Sequence, residues 1–312
     1  MKTSFKITAL ASVLAAGALV GTASAAPLTQ LYFVQAAGWL DPQNDGNTET
    51  FFNPSNTGLT LSANNPVGTP PGSANTFEQL AWSSSMNGGA TSSLTIGSFT
   101  SANSPSFQGA GWTQGQWWTI DQLTQVNQVL TVPLNSNVPN PLWIADILGN
   151  FRVFSDSTFS LDSMLLEDLD AVTRVSYWET LNTGLAQNCP GGNPTGSTVP
   201  CDDVYTVLDI ALDSLSFELD NYLYSIDFQL APGNGVLICT GLELEGPCTN
   251  PGASPQSGEF FRVWAAEQAQ TQIFVQARWT AQEIPVPEPA MLGLLGIGLA
   301  GMGFAANRRR RT

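Results

Sequence analysis

Alternation of apolar and polar residues is the main regularity of this chain, and it is clearest in the second half. Tyr222, Tyr224, Ile226, Phe228 and Leu230 occupy every second position, with Ser225, Asp227 and Gln229 between them. A period of two places such a set on one face of a strand. Ile273, Val275, Ala277 and Trp279 repeat the pattern against Gln276, Arg278 and Thr280. Leu208, Ile210 and Leu212 alternate with Asp209, Ala211 and Asp213, and a turn at Asp213-Ser214 restarts the pattern as Leu215, Phe217 and Leu219. Residues 171–181 (AVTRVSYWETL) predict a further strand.

The first half reads less regularly. Strands are predicted over 28–40, 92–100 and 129–134, then at Trp143 to Asp146 and again from Phe151 to Leu161. Residues 41–75 read as loop, with turns at Asn53-Pro54, Asn65-Pro66 and Pro70-Pro71. Residues 164–169 (MLLEDL) predict one helical turn. Short strands at roughly ten-residue spacing, without a sustained helical period, predict an all-β domain: a β-sandwich, jelly-roll-like.

The two ends break the pattern. Lys2 and Lys6 precede an apolar stretch, Ile7 to Val20, and Ala23-Ser24-Ala25 has the small residues of a signal-peptidase site. A signal peptide over 1–25 is expected, with a folded domain over 26–284. At the other end, Pro285, Pro287 and Pro289 alternate, blocking helix and favouring an extended segment. An uncharged run over 290–306 follows, at the short end of what spans a bilayer. Four arginines, Arg308, Arg309, Arg310 and Arg311, then favour the cytoplasmic side. On physics alone a plain C-terminal membrane anchor would show the same apolar run and basic stop.

Charge narrows the field. Arg152, Arg174, Arg262 and Arg278 are the only basic residues between 26 and 284, and of the 25 carboxylates only Glu288 lies in the tail. The net charge of the expected domain is therefore about −20, which argues against nucleic acid as a partner. The chain has no histidine, which removes Ser-His-Asp, Cys-His and zinc-hydrolase schemes. A hydrolase working with carboxylates only stays open.

Three groups of residues are candidates for binding or stabilisation. Cys189 and Cys201 bracket one Gly/Pro-rich loop, and Cys239 and Cys248 bracket another. In an exported chain these read as disulfides; of the three pairings, the sequential one closes the shortest loops. Asp41, Asp45 and Glu49 lie in a loop rich in oxygen ligands around Gly46, the place to expect calcium, although the spacing misses the EF-hand and ordinary turn formation explains the same residues. No other cofactor is indicated. Trp112, Trp117 and Trp118 stand among Gly and Gln, a composition that suits saccharide stacking if the rings are exposed and core packing if they are not.

The tail, VPEPAMLGLLGIGLAGMGFAANRRRRT, resembles a PEP-CTERM sorting signal: Pro287-Glu288-Pro289 matches the naming motif, and the apolar run and arginines follow in order. The resemblance implies a Gram-negative bacterium, signal peptidase and exosortase as maturation partners, and delivery to the cell surface, outer membrane or extracellular matrix. Residues 93–106 (SLTIGSFTSANSPS) are similar to the segment that names the THxN family of such proteins, with Gly97, Phe99, Thr100, Asn103 and Pro105 in place. Ser101 stands where that family has His, which removes any metal or acid-base role of that side chain. The expected function is that of a non-enzymatic structural protein of the surface or biofilm matrix, the alternative a carbohydrate-binding module for exopolysaccharide.

Overall fold

The structure, a computed structural model, describes residues 26–40, 59–67, 76–84, 91–97, 107–128, 143–178, 193–196, 201–209, 214–240, 261–267, 269–285, 293 and 296–300. The strands are β1 (Gln30–Leu40), β2 (Leu59–Val67), β3 (Thr76–Ser84), β4 (Thr91–Ile96), β5 (Phe107–Thr113), β6 (Trp118–Val126) and β7 (Trp143–Phe154) in the first half. The second half adds β8 (Met164–Trp178), β9 (Asp203–Asp209), β10 (Leu215–Leu219), β11 (Tyr222–Pro232), β12 (Val236–Thr240), β13 (Phe261–Ala265) and β14 (Gln270–Glu283).

All fourteen strands join one antiparallel sheet. The sheet forks at β1. Its Gln30–Gln35 edge pairs with β5, while Trp39 and Leu40 pair with Phe77 and Thr76 of β3. This two-residue bridge links two seven-strand runs. One runs β5-β1-β7-β8-β9-β13-β12, and the other runs β2-β3-β4-β6-β14-β11-β10. Both contribute to a single core, in which Trp39, Trp143, Tyr177 and Val263 from the first run meet Trp82, Leu94, Leu230 and Ile273 from the second. The sheet therefore curls on itself around the side chains that alternation sends inward.

Aromatic rings dominate that core. Trp39, Trp82, Trp112, Trp143, Trp264 and Trp279 are fully buried. Trp143 sits at the centre of a cluster, edge-on to Trp39 and Trp82 at 5.9 and 5.4 Å and stacked on Tyr177 at 5.2 Å. Such pairs contribute about 0.5–1.5 kcal/mol each beyond area burial.

The chain divides into two compact units. The larger comprises Leu28–Phe217 and Tyr224–Thr280 and contains the core just described. The smaller comprises Met1–Pro27, Glu218–Leu223 and Ala281–Thr312. Within it, Asp220 and Asn221 both take positive φ, 50° and 66°, the requirement of a type I′ hairpin turn, and Asn221 accepts a backbone hydrogen bond from Ile284 N at 2.8 Å. Residues 293 and 296–300 are helical.

Several sequence expectations change. Residues 164–169 are not a helical turn but the start of β8, which pairs with β7 from Met164 onward. One 3-10 turn, Leu161–Ser163, precedes it. Residues 41–75, expected to be loop, contain β2. The segment expected at 143–146 and the first part of that expected over 151–161 are one strand, β7, which ends at Phe154 with turn residues after it, and β3, β5 and β6 were not expected at all. The strand expected over 129–134 lies outside the described residues.

Candidate functional site

The Trp-rich segment is the best described of the candidates. It forms the end of β5, a short turn and the start of β6. Gly115 takes φ +80°, a left-handed conformation that a side chain would strain, and its N–H bonds to Trp279 O at 2.9 Å. Trp279 in turn donates its indole Nε1–H to Trp112 O at 3.0 Å. The segment is thus clasped to β14 through one residue.

This geometry separates the three tryptophans. Trp112 has no exposed surface; it packs edge-on against Phe33 at 5.3 Å and Trp279 at 6.5 Å. It serves the core and cannot present a ring to a ligand, a correction to its place in the stacking trio. Trp117 and Trp118 are half-buried. The Arg278 guanidinium lies over the Trp117 ring, 4.6 Å from its centroid, and pairs with Asp227 on β11 at 2.9 Å. A planar ligand could use only the other face of Trp117.

The remaining arginines of the expected domain are engaged as well. Asp146 and Arg174 face each other across β7 and β8 in a two-pronged pair of 2.9 and 3.0 Å, with Asp146 only 3% exposed. Arg152 pairs with Glu167 at 2.7 Å across the same two strands. Arg262 is buried and lies 5.5 Å over Trp264.

Buried carboxylates are held by hydrogen bonds. Asp203 accepts from the Tyr177 hydroxyl and from Asn127 Nδ2, the latter at 2.6 Å. Asp202 accepts from Thr195 N and Oγ1 at 2.9 and 2.5 Å; burial nevertheless raises its carboxyl above the ordinary range, with the Thr195 bonds pulling the other way. Asp121 accepts from Gln35 Nε2 at 2.9 Å and from Gln122 N at 2.7 Å. Sequence reasoning missed Asp121, Asp146 and their partners, because single acids inside strands carry no local signal. Among the described residues no group of three or more acids and cysteines is placed to hold a metal ion. The calcium candidates Asp41, Asp45 and Glu49 lie outside the described residues.

Cys201 and Cys239 are both disulfide-bonded. Cys189 and Cys248 lie outside the described residues, so the sequential pairing stays an expectation.

The last strand, β14, ends at Glu283, and the tail follows at once. Residues 285–311 match the PEP-CTERM protein-sorting motif. No curated protein matches the chain. The motif marks an exported, exosortase-targeted protein of a Gram-negative bacterium, held at the membrane before processing. Pro287, Glu288, Pro289 and Arg308 to Arg311 fall within the match but, like the expected signal peptide over 1–25, outside the described residues. Among the described residues no helix is long and apolar enough to cross a membrane, which says nothing of crossing by strands; most of 290–306 lies outside them.

Proposed function

We propose that this chain is an exported, exosortase-processed structural protein of the cell surface or biofilm matrix, without enzymatic activity, and of the THxN type with Ser101 in the place of the family's His. The observation that carries the reading is the sorting motif over 285–311, beginning two residues after the last strand of the sheet. In this reading residues 26–284 form one jelly-roll-like sandwich, 1–25 are removed by signal peptidase, and 290–306 span the membrane until exosortase acts. The absence of histidine and the use of Asp146, Asp202 and Asp203 in internal bonds favour a scaffold over a carboxylate-only hydrolase. Calcium at Asp41, Asp45 and Glu49 belongs to the same proposal, and calorimetric titration tests it: one saturable event should disappear in Asp45→Ala.

Fractionation tests the sorting reading. Glu288→Ala should insert normally yet remain membrane-bound at full mass, whereas the wild type loses its tail and reaches the matrix. If the variant matures like the wild type, a plain C-terminal anchor replaces the reading.

A second role, binding of exopolysaccharide, is favoured by the partly open rings of Trp117 and Trp118 beside the Arg278–Asp227 pair. Glycan binding lost in Trp117→Ala and Trp118→Ala, with unchanged stability, would support it.

A further inference from the structure

We propose that the curled sheet holds a binding cavity for a small neutral apolar molecule that carries one hydrogen-bond donor. A cavity of about 120 Å³ lies in the larger unit between the two seven-strand runs. Its floor is one transverse row of the sheet. Ala37 on β1 sits directly opposite Gly149 on β7, which sits directly opposite Ala171 on β8. Three adjacent strands thus present their smallest residues side by side. The other run contributes apolar side chains, including Leu94 and Ile273, together with Asp121.

Gly149 lies in β7 beside a register shift of the β7–β8 pairing, between it and Phe151; glycine inside a strand commonly marks such a bulge or the close approach of a ligand or another backbone. A Cβ built there would sit 3.6 Å from Ala171 O and 3.8 Å from Ala171 Cβ, ordinary contact distances, so the small residue is not forced by a clash at Cβ. Protein interiors are otherwise packed with few voids larger than a water molecule, and cavities cost stability in proportion to their volume.

Size and chemistry define the ligand. A dry apolar cavity of about 150 Å³ takes up benzene, so this slightly smaller one suits roughly six to seven non-hydrogen atoms at most. Asp121 is the one carboxylate among the described lining residues, 2% exposed and oriented by Gln35 Nε2. When ionised, Asp121 accepts hydrogen bonds and gives none, and it then orients a hydroxyl at the edge of an otherwise apolar molecule. Phenol is a probe of this class; benzene matches the shape without the donor.

Calorimetric titration of the full chain tests the proposal, with Gly149→Leu as the filled-cavity control. Partitioning of the probes into detergent is the same in both proteins and subtracts out. Phenol should bind the wild type at one saturable site, at least tenfold more tightly than benzene, and binding to Gly149→Leu should fall by at least tenfold. Circular dichroism checks that the variant folds; if it does not, Ala37→Val narrows the same row and should lower affinity in the same direction. Absence of saturable binding in the wild type, or equal binding in a folded filled-cavity variant, overturns the site. Equal affinity for benzene and phenol overturns the role of Asp121.

Discussion

Trp279 and Trp112 are joined by a single hydrogen bond, indole N–H to backbone carbonyl at 3.0 Å, across 167 positions of sequence. Trp279 O meanwhile receives the Gly115 N–H at 2.9 Å, so one residue of β14 fixes both sides of the turn between β5 and β6. Trp279→Phe keeps most of the ring packing and leaves the Trp112 carbonyl buried without its donor. The expected loss is about 1–3 kcal/mol, read as a lower urea midpoint at unchanged slope. A variant as stable as the wild type would show that the clasp contributes nothing.

The Asp146–Arg174 pair gives a second expectation. Asp146 is 3% exposed while the Arg174 side chain is 25% exposed, so the pair is only partly shielded from water. Removing the arginine strands a buried carboxylate, whereas removing both leaves an apolar gap. Arg174→Met should cost about 2–3 kcal/mol after allowance for screening, and Asp146→Leu added to it should recover a large part. A double-mutant cycle measures the coupling; additive losses would rule the pair out as a unit.

Acid titration should separate two aspartates by sign. Burial raises the Asp202 carboxyl, so the folded state binds its proton more readily than the unfolded chain does. Its contribution is fully present below the unfolded pKa and is lost as pH rises through the folded one. Asp202→Asn should therefore stabilise the protein at neutral pH and make little difference at about pH 3. Asp156 behaves oppositely: hydrogen bonds from the Thr158 hydroxyl and backbone N–H hold its carboxyl below the usual range. Stability from Asp156 is present above the unfolded pKa and disappears as pH falls. Unfolding midpoints of Asp202→Asn and Asp156→Asn across the acid range provide the check, and a destabilised Asp202→Asn at pH 7 would contradict the first expectation.

The four cysteines give a further expectation. The local pattern, Cys189–Cys201 with Cys239–Cys248, is the expected one, each bridge contributing about 2–3 kcal/mol by restricting the unfolded chain. Peptide mapping without reductant should recover the two short loops as linked pairs. A peptide joining Cys201 to Cys248 would establish the crossed pattern instead.

Alternation made the second half of the chain legible. In β11, Tyr224, Ile226, Phe228 and Leu230 are buried, and in β14 so are Ile273, Ala277 and Trp279, as their period of two requires. The first half was harder for identifiable reasons. Pro66 and the Asn64-Asn65 pair disguise β2, yet it pairs with β3 on one side only, where proline is tolerated. The apolar run in MLLEDL imitates a helical turn, but pairing with β7 overrides local preference. The sequence left Trp112 open between stacking and core packing, because its burial depends on Trp279 and Phe33, both far away in sequence. The row of Ala37, Gly149 and Ala171 is invisible until register aligns the three strands.

The placement of the four arginines has a consequence for survival outside the cell. Arg152, Arg174, Arg262 and Arg278 stand in β7, β8, β13 and β14, each with a hydrogen-bonded strand on both sides. There is no lysine from residue 26 to residue 284. A protease that cuts after basic residues must draw an extended segment into its cleft, and here each such segment is already committed to two neighbours. Opening it means dissolving the sheet, which makes cleavage follow global unfolding instead of local fraying. Enzymes of that specificity should therefore trim the chain at its two ends and leave the sheet whole, a useful property for an exported protein.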